Sequence, residues 1–295
     1  MYSTRERLSP LPVHLSARVA PELYDRVLDN LHDSKKDLSA CSTVCKSWLP
    51  TCRFHLFAEV IYNPEFSRFL DTHNSIAPYI KHVTMKGPFN QEEIYISAKS
   101  ILRLERLVKL HVETFNWESV KPLSTSFSLF IPETIFSHLL TSLTLRIIKF
   151  PSFTVFTAIL DAFPVLQELS VFDVTWSASA HSGGNVLNHS TVLRQSTLKR
   201  LYIECCNNRV LLNWLLYGVM SEAAFWNLNG EQPHRSFPHL ITLSIYDILP
   251  GEGDILSGFM AALGESLEHL GVGFASHKFD NQDFNESRFM ISIIQ

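Results

Sequence analysis

The sequence predicts a mixed α/β chain, a small helical module followed by an irregular solenoid built on a parallel sheet. Three observations point there. Residues 21–60 carry apolar side chains at helical spacing in three short runs, read as three short helices. From residue 80 onward one short phrase, apolar-x-x-apolar-x-apolar, recurs seven times. Helix-like stretches lie between the phrases. The expected divisions are a polar tail at 1–18, the helical module at 19–60 and the repeat region at 61–295.

Composition agrees with a folded chain. The 295 residues are 46% hydrophobic and 18% charged, ample for a large core and too uncharged for disorder. The net charge of −4 creates no general attraction for nucleic acid or acidic lipid, so neither is an expected partner. Residues 1–20 hold no apolar run of signal-peptide kind. The greasiest stretch, 210–220, is interrupted by Asn213 and falls short of the about 20 residues a membrane span needs. A buried helix is expected there. A cytoplasmic or nuclear location follows as an expectation, with the five cysteines reduced.

The helical module reads in order. Pro21 stands where a first-turn proline is tolerated, and Glu22 and Asp25 suit the positive end of a helix. Leu23, Val27, Leu28 and Leu31 then mark one face, and 30–36 reads as a polar turn. A second run starts at Asp37, an expected N-cap, and carries Leu38, Cys41, Val44, Cys45, Trp48 and Leu49. Pro50 should kink or interrupt it. On one continuous helix Cys41, Cys45, Cys52 and His55 would spread over about 21 Å, too far for one zinc ion, so no metal is expected. A module of this size is marginal alone. Its spare apolar face belongs either to the rest of the chain or to a partner.

Pro21-Glu22-Leu23, Val27-Leu28, Leu31, Lys36-Asp37-Leu38, Val44-Cys45-Lys46-Ser47-Trp48 and His55-Leu56-Phe57, taken in order, resemble an F-box. The family pattern is Leu-Pro-x-Glu, a hydrophobic helix ending in Leu, a charged turn with Asp-Leu, and Val-x-x-x-Trp; Ala20 replaces its first Leu. The resemblance covers about residues 19–60. It implies docking to the adaptor Skp1, and through it to a cullin-based ubiquitin ligase. Pro21, Leu23, Val27, Leu28, Leu31, Leu38, Val44 and Trp48 would form the adaptor-binding face.

The recurring phrase appears as Ile80/Val83/Met85, Leu107/Leu110/Val112, Leu140/Leu143/Leu145 and Leu166/Leu169/Val171, then Leu198/Leu201/Ile203, Leu240/Leu243/Ile245 and Leu267/Leu270/Val272. Its later positions alternate as a half-buried strand does. Helices are expected at 92–104, at 153–163 behind a Ser152 cap, and at 255–263 behind an Asp254 cap. A strand plus a helix at this period resembles a leucine-rich repeat, of the irregular kind found in fungal F-box proteins. The Asn or Cys that such repeats often carry three residues after the last apolar position is present only as Cys206; the others are Pro88, Phe115, Ile148, Val174, Ile248 and Ala275. Segments 177–191 and 221–236 read as surface loops. The apolar C-terminal stretch is either the capping strand or a sign that the natural end is missing.

Strand alternation turns the residues flanking the later apolar positions outward. Among them Arg146, Phe172, Arg200, Tyr202 and Tyr246 are of the types that dominate interface energetics, and they are the expected target-binding set. The mixed charge of the whole face argues against a wholly acidic or wholly basic partner. No nucleophile elbow, P-loop, dinucleotide fingerprint or His-Glu-x-x-His is present, so a non-catalytic role without cofactor is expected. The resemblances together imply the substrate-recognition subunit of an SCF (Skp1-cullin-F-box) ubiquitin ligase. The alternatives are a non-ligase binding scaffold and a small-molecule receptor built on the repeats.

Overall fold

The structure is a computed structural model that describes residues 20–88, 93, 100–101, 104–116, 139–177, 197–217, 237, 239–249, 251–263, 265–274 and 288–292. The predicted polar tail, the two surface loops apart from Ser177, Ala275 and most of the predicted 92–104 helix lie outside these. The chain divides into two compact units, Met1–Glu59 and Val60–Gln295.

The first unit holds helices α1 (Pro21–Asp29), α2 (Lys35–Ser42) and α3 (Leu49–Phe57). Two expectations change here. The N-cap of α2 is Ser34, and Asp37 lies one turn inside, accepting the Ser34 hydroxyl at 2.6 Å. Helix α2 also ends at Ser42, where the hydroxyls of Ser42 and Thr43 bond back to Ser39 and Ala40 carbonyls at 2.7 Å, competing with the helical ladder. Pro50 therefore sits in the first turn of α3, where its missing N–H costs nothing. It starts a helix rather than breaking one. Cys41 and Cys52 consequently belong to different helices, which removes the straight-helix premise of the metal argument.

Helices α1 and α3 run side by side in the same direction. The Asp25 carboxylate accepts the Thr51 hydroxyl at 2.6 Å, and four residues on Asp29 meets His55 Nε2 at 2.8 Å. The Tyr24 and Trp48 rings lie 5.4 Å apart. The buried side chains of the three helices are Leu28, Leu38 and Cys52.

The second unit is organised by one nine-stranded sheet whose spatial order is the chain order, β1 to β9. Strand β1 (Glu59–Tyr62) leads into α4 (Pro64–Thr72), which Asn63 caps by accepting the Phe66 N–H at 2.7 Å, and into a 3-10 turn (Asn74–Tyr79). There follow β2 (His82–Lys86), β3 (Lys109–Asn116), β4 (Ser142–Phe150), α5 (Phe153–Asp161) and β5 (Glu168–Trp176). The chain continues through β6 (Arg200–Glu204), α6 (Asn208–Tyr217), β7 (Thr242–Ile248), α7 (Gly253–Ala261), β8 (His269–Phe274) and β9 (Arg288–Ser292). Strands β2 to β8 are mutually parallel, and β9 closes the sheet antiparallel to β8. Arg288–Ser292 of the apolar C-terminal stretch thus pairs with β8 as a strand.

Every strand from β2 to β8 begins two residues after the first apolar position of its phrase. The phrases pair in register, so that Val83, Leu110, Leu143, Leu169, Leu201, Leu243 and Leu270 form one continuous row. A second feature replaces the absent asparagine ladder. The carbonyls of Lys81, Val108, Thr141, Gln167, Lys199 and Ile241 each accept two consecutive N–H groups from the start of the next strand, at 2.8–3.1 Å. The backbone itself satisfies the groups that lead into each strand.

Past the phrase the strands bend. Thr114, Ile147, Asp173, Cys205 and Asp247 occupy equivalent positions in five successive repeats, and all have left-handed φ between 49° and 58°. One such residue shifts the alternation, as a bulge does. The next residue therefore turns inward, and Phe115, Ile148, Val174 and Ile248 are buried.

Helix α5 begins where expected, with Ser152 Oγ accepting the Val155 N–H at 3.3 Å. The cap of α7 is Glu252 rather than Asp254. The Glu252 carboxylate is buried and accepts the Leu249 N–H at 2.8 Å and the Arg209 N–H at 3.2 Å. It thereby ties the loop before α7 to the first turn of α6, where negative charge is favoured. Helix α6 buries Leu211, Leu212, Trp214, Leu215 and Leu216, as its apolar sequence demands.

Candidate functional site

In the helical unit the residues predicted to face an adaptor divide in two. Leu28 and Leu38 are 1% and 0% exposed. They belong to the interior and are corrected out of any accessible face. Leu23, Val27 and Val44 are 53%, 58% and 63% exposed. Pro21 is exposed at the start of α1, Leu31 is half-buried after it, and Trp48 is half-buried against Tyr24. Leu23 and Val27 stand one turn apart on α1, so at least these two share a face.

The outward side of the sheet has two halves of different chemistry. On β2 to β4, Glu113 lies between Lys86 at 3.6 Å and Arg146 at 3.7 Å. In the adjacent row His111 stands between Thr84 and Thr144, with its Nε2 buried and lacking a hydrogen-bond partner. Burial pushes the His111 pKa down, against the pull of Glu113 and with the help of Lys86 and Arg146. The ring is held neutral.

On β5 to β7 the outward side is aromatic. Phe172 and Tyr202 have ring centroids 4.7 Å apart, and Tyr202 and Tyr246 5.3 Å. Tyr246 is 7% exposed, so it forms the base of this row and not its open surface, a correction to its predicted role. Gly271 and Gly273 of β8 make its position available. A Cβ on Gly273 would come within 2.5 Å of Tyr246 Cδ1, and one on Gly271 within 2.8 Å of its hydroxyl. Arg146 is the register partner of Phe172. Arg200 lies in another row, bonded to Glu168 at 2.7 Å.

Carboxylates that the sequence reading did not single out gather at the end of the aromatic row. Glu204 accepts the Tyr202 hydroxyl at 2.8 Å. The left-handed backbone at Cys205 lets its N–H and its thiol both reach one Asp247 oxygen, each at 3.0 Å. Glu204, Cys205 and Asp247 offer ligand-type atoms within 4.8 Å of one another, the one such trio of His, Cys, Asp or Glu among the described residues. The Cys205 thiol is pushed up to about 12 by partial burial, then by the Asp247 hydrogen bond and the charges of Asp247, Glu204 and Asp173. Burial raises Cys206 to about 12 as well. Both thiols stay neutral at physiological pH, so the trio presents carboxylates and not a thiolate. The sequence signal for such a turn is the recurring apolar residue one place beyond each left-handed position, Phe115, Ile148, Val174 and Ile248.

Comparison of the sequence with protein-family models gives no match, and comparison with curated proteins gives none either. Among the described residues no helix is long and apolar enough to cross a membrane.

Proposed function

We propose that the chain is the substrate-recognition subunit of an SCF-type ubiquitin ligase. In this reading residues 19–60 are an F-box that docks Skp1 and through it a cullin, while the sheet unit is an irregular leucine-rich-repeat domain that holds a target protein. The observation that carries the proposal is the helical unit. It is compact by itself, and it leaves Leu23, Val27 and Val44, three residues of the F-box resemblance, in solvent. Exposed apolar side chains on so small a unit are what a docking partner would cover.

The chain would carry out no chemistry of its own and would need no cofactor. It would hold target lysines near the conjugating enzyme, raising their effective concentration. The setting is the cytoplasm or nucleus, where the five cysteines remain thiols.

The test is a pull-down of the full chain with purified Skp1, followed by addition of the cullin. Val27→Asp places a charge on the exposed face and should weaken Skp1 binding at least tenfold with an unchanged circular dichroism spectrum. Full Skp1 affinity in Val27→Asp, or none in the folded wild type, would sink the adaptor reading. Binding of Skp1 without recruitment of the cullin would reduce the function to that of a scaffold.

A further inference from the structure

The carboxylates of the outward face fall into matched and unmatched groups. Glu113 on β3 is matched by Lys86 and Arg146, and Glu168, at the start of β5, by Arg200 at the start of β6. On β5 to β7 Glu204 accepts the Tyr202 hydroxyl beside the Phe172 ring, and its carboxylate lies with the Cys205 thiol and the Asp247 carboxylate in one group of ligand-type atoms within 4.8 Å of one another, while among the described residues no lysine or arginine pairs with Asp173 or Asp247. The Glu204 and Asp247 carboxylates thus meet at Cys205, and Asp173 adds its charge to theirs on that thiol. The ring row is held there by Tyr246, wedged over the glycines of β8.

We propose that this end of the face docks a protein segment through an arginine or lysine side chain, whose stem lies on Phe172 and Tyr202 and whose charged head meets Asp173, Glu204 and Asp247. The inference rests on the reading of the outward face as the target-binding surface, and it supplies the chemistry of that target. Long cationic side chains are suited to such a surface because they pack their hydrocarbon stems on apolar area while the head stays polar. Guanidinium groups also stack on aromatic rings and pair with carboxylates in a plane. Arg146, the register partner of Phe172, and Lys86 on β2 make a uniformly basic partner a poor fit. The occupant is a segment with a local cation.

The experiment selects binders to the full chain from a phage-displayed library of random nonapeptides. Selected peptides should carry Arg or Lys at one fixed position, and replacing that residue by Gln should weaken binding about tenfold. The Glu204→Gln, Asp247→Asn double variant should lose the preference for a cation, and Tyr202→Ala should lose peptide binding, both with an unchanged circular dichroism spectrum. Peptides that need Tyr202 yet show no cation preference would overturn the proposal while leaving the face a docking surface. No selection by the folded wild type would overturn both. A signal that requires zinc and disappears with a chelator would overturn the proposal in favour of a metal site at Glu204, Cys205 and Asp247.

Discussion

Five residues in left-handed backbone do more to shape the sheet unit than any side-chain motif. Asp173 and Asp247 are of a type that visits that conformation more readily than most; for Ile147 it is a strain of order 1–3 kcal/mol. Ile147→Gly should therefore recover part of that strain, read as a higher thermal midpoint. The glycines of β8 work in the opposite sense. Gly273→Ala would drive a methyl into Tyr246, at a cost of about 1–3 kcal/mol, and should disturb the near-ultraviolet circular dichroism of the ring row. The cysteines divide by environment as well. The Ser47 hydroxyl, 3.0 Å from the exposed Cys45 sulfur, lowers its pKa, whereas burial raises those of Cys52, Cys205 and Cys206. Iodoacetamide at pH 8 should label Cys45 ahead of those three, as read by peptide mass spectrometry.

Single elements carry the next group of consequences. Strand β3 places a neutral His111 in a partly buried row. Its pKa is depressed in the folded state, so the unfolded chain binds the proton more tightly and stability falls as pH drops below the ordinary histidine value of about 6.5. His111→Leu should flatten the loss of thermal stability between pH 7 and pH 5; an unchanged slope would show that other groups control it. Helix α1 has an inner and an outer side only one residue apart. Val27 is in solvent and Leu28 is inside, so Val27→Asp is the substitution that interrogates binding. Leu28→Asp would bury an unpaired charge and should unfold the helical unit.

At the scale of the whole molecule, the division at Glu59/Val60 predicts separable unfolding. Calorimetry should resolve a transition for the helical unit that Leu28→Asp removes, with the transition of the sheet unit left in place. A single transition abolished by Leu28→Asp would mean that the two units unfold as one. Salt belongs to this scale too. The ion pairs on the outward face involve exposed Lys86, Arg146 and Arg200, each worth about 0–1 kcal/mol, so raising ionic strength should change the stability of the sheet unit little.

What the amino-acid order by itself determined was the strand set and its pairing. Seven apolar phrases of one pattern can be buried together only if they stack in register, and a one-residue slip would expose a whole apolar row. The Ser152 cap, the buried α6 segment and the three short N-terminal helices were legible for the same reason, since each depends on neighbours close in sequence. Tertiary structure decided the rest. Whether Leu28 or Val27 faces inward depends on where α3 lies, and α3 starts at Leu49 because Pro50 fits a first turn. The left-handed column is a compromise between alternation and the burial of Phe115, Ile148, Val174 and Ile248. The meeting of Cys205 with Asp247, 42 residues apart, exists only because parallel strands bring equivalent turns side by side.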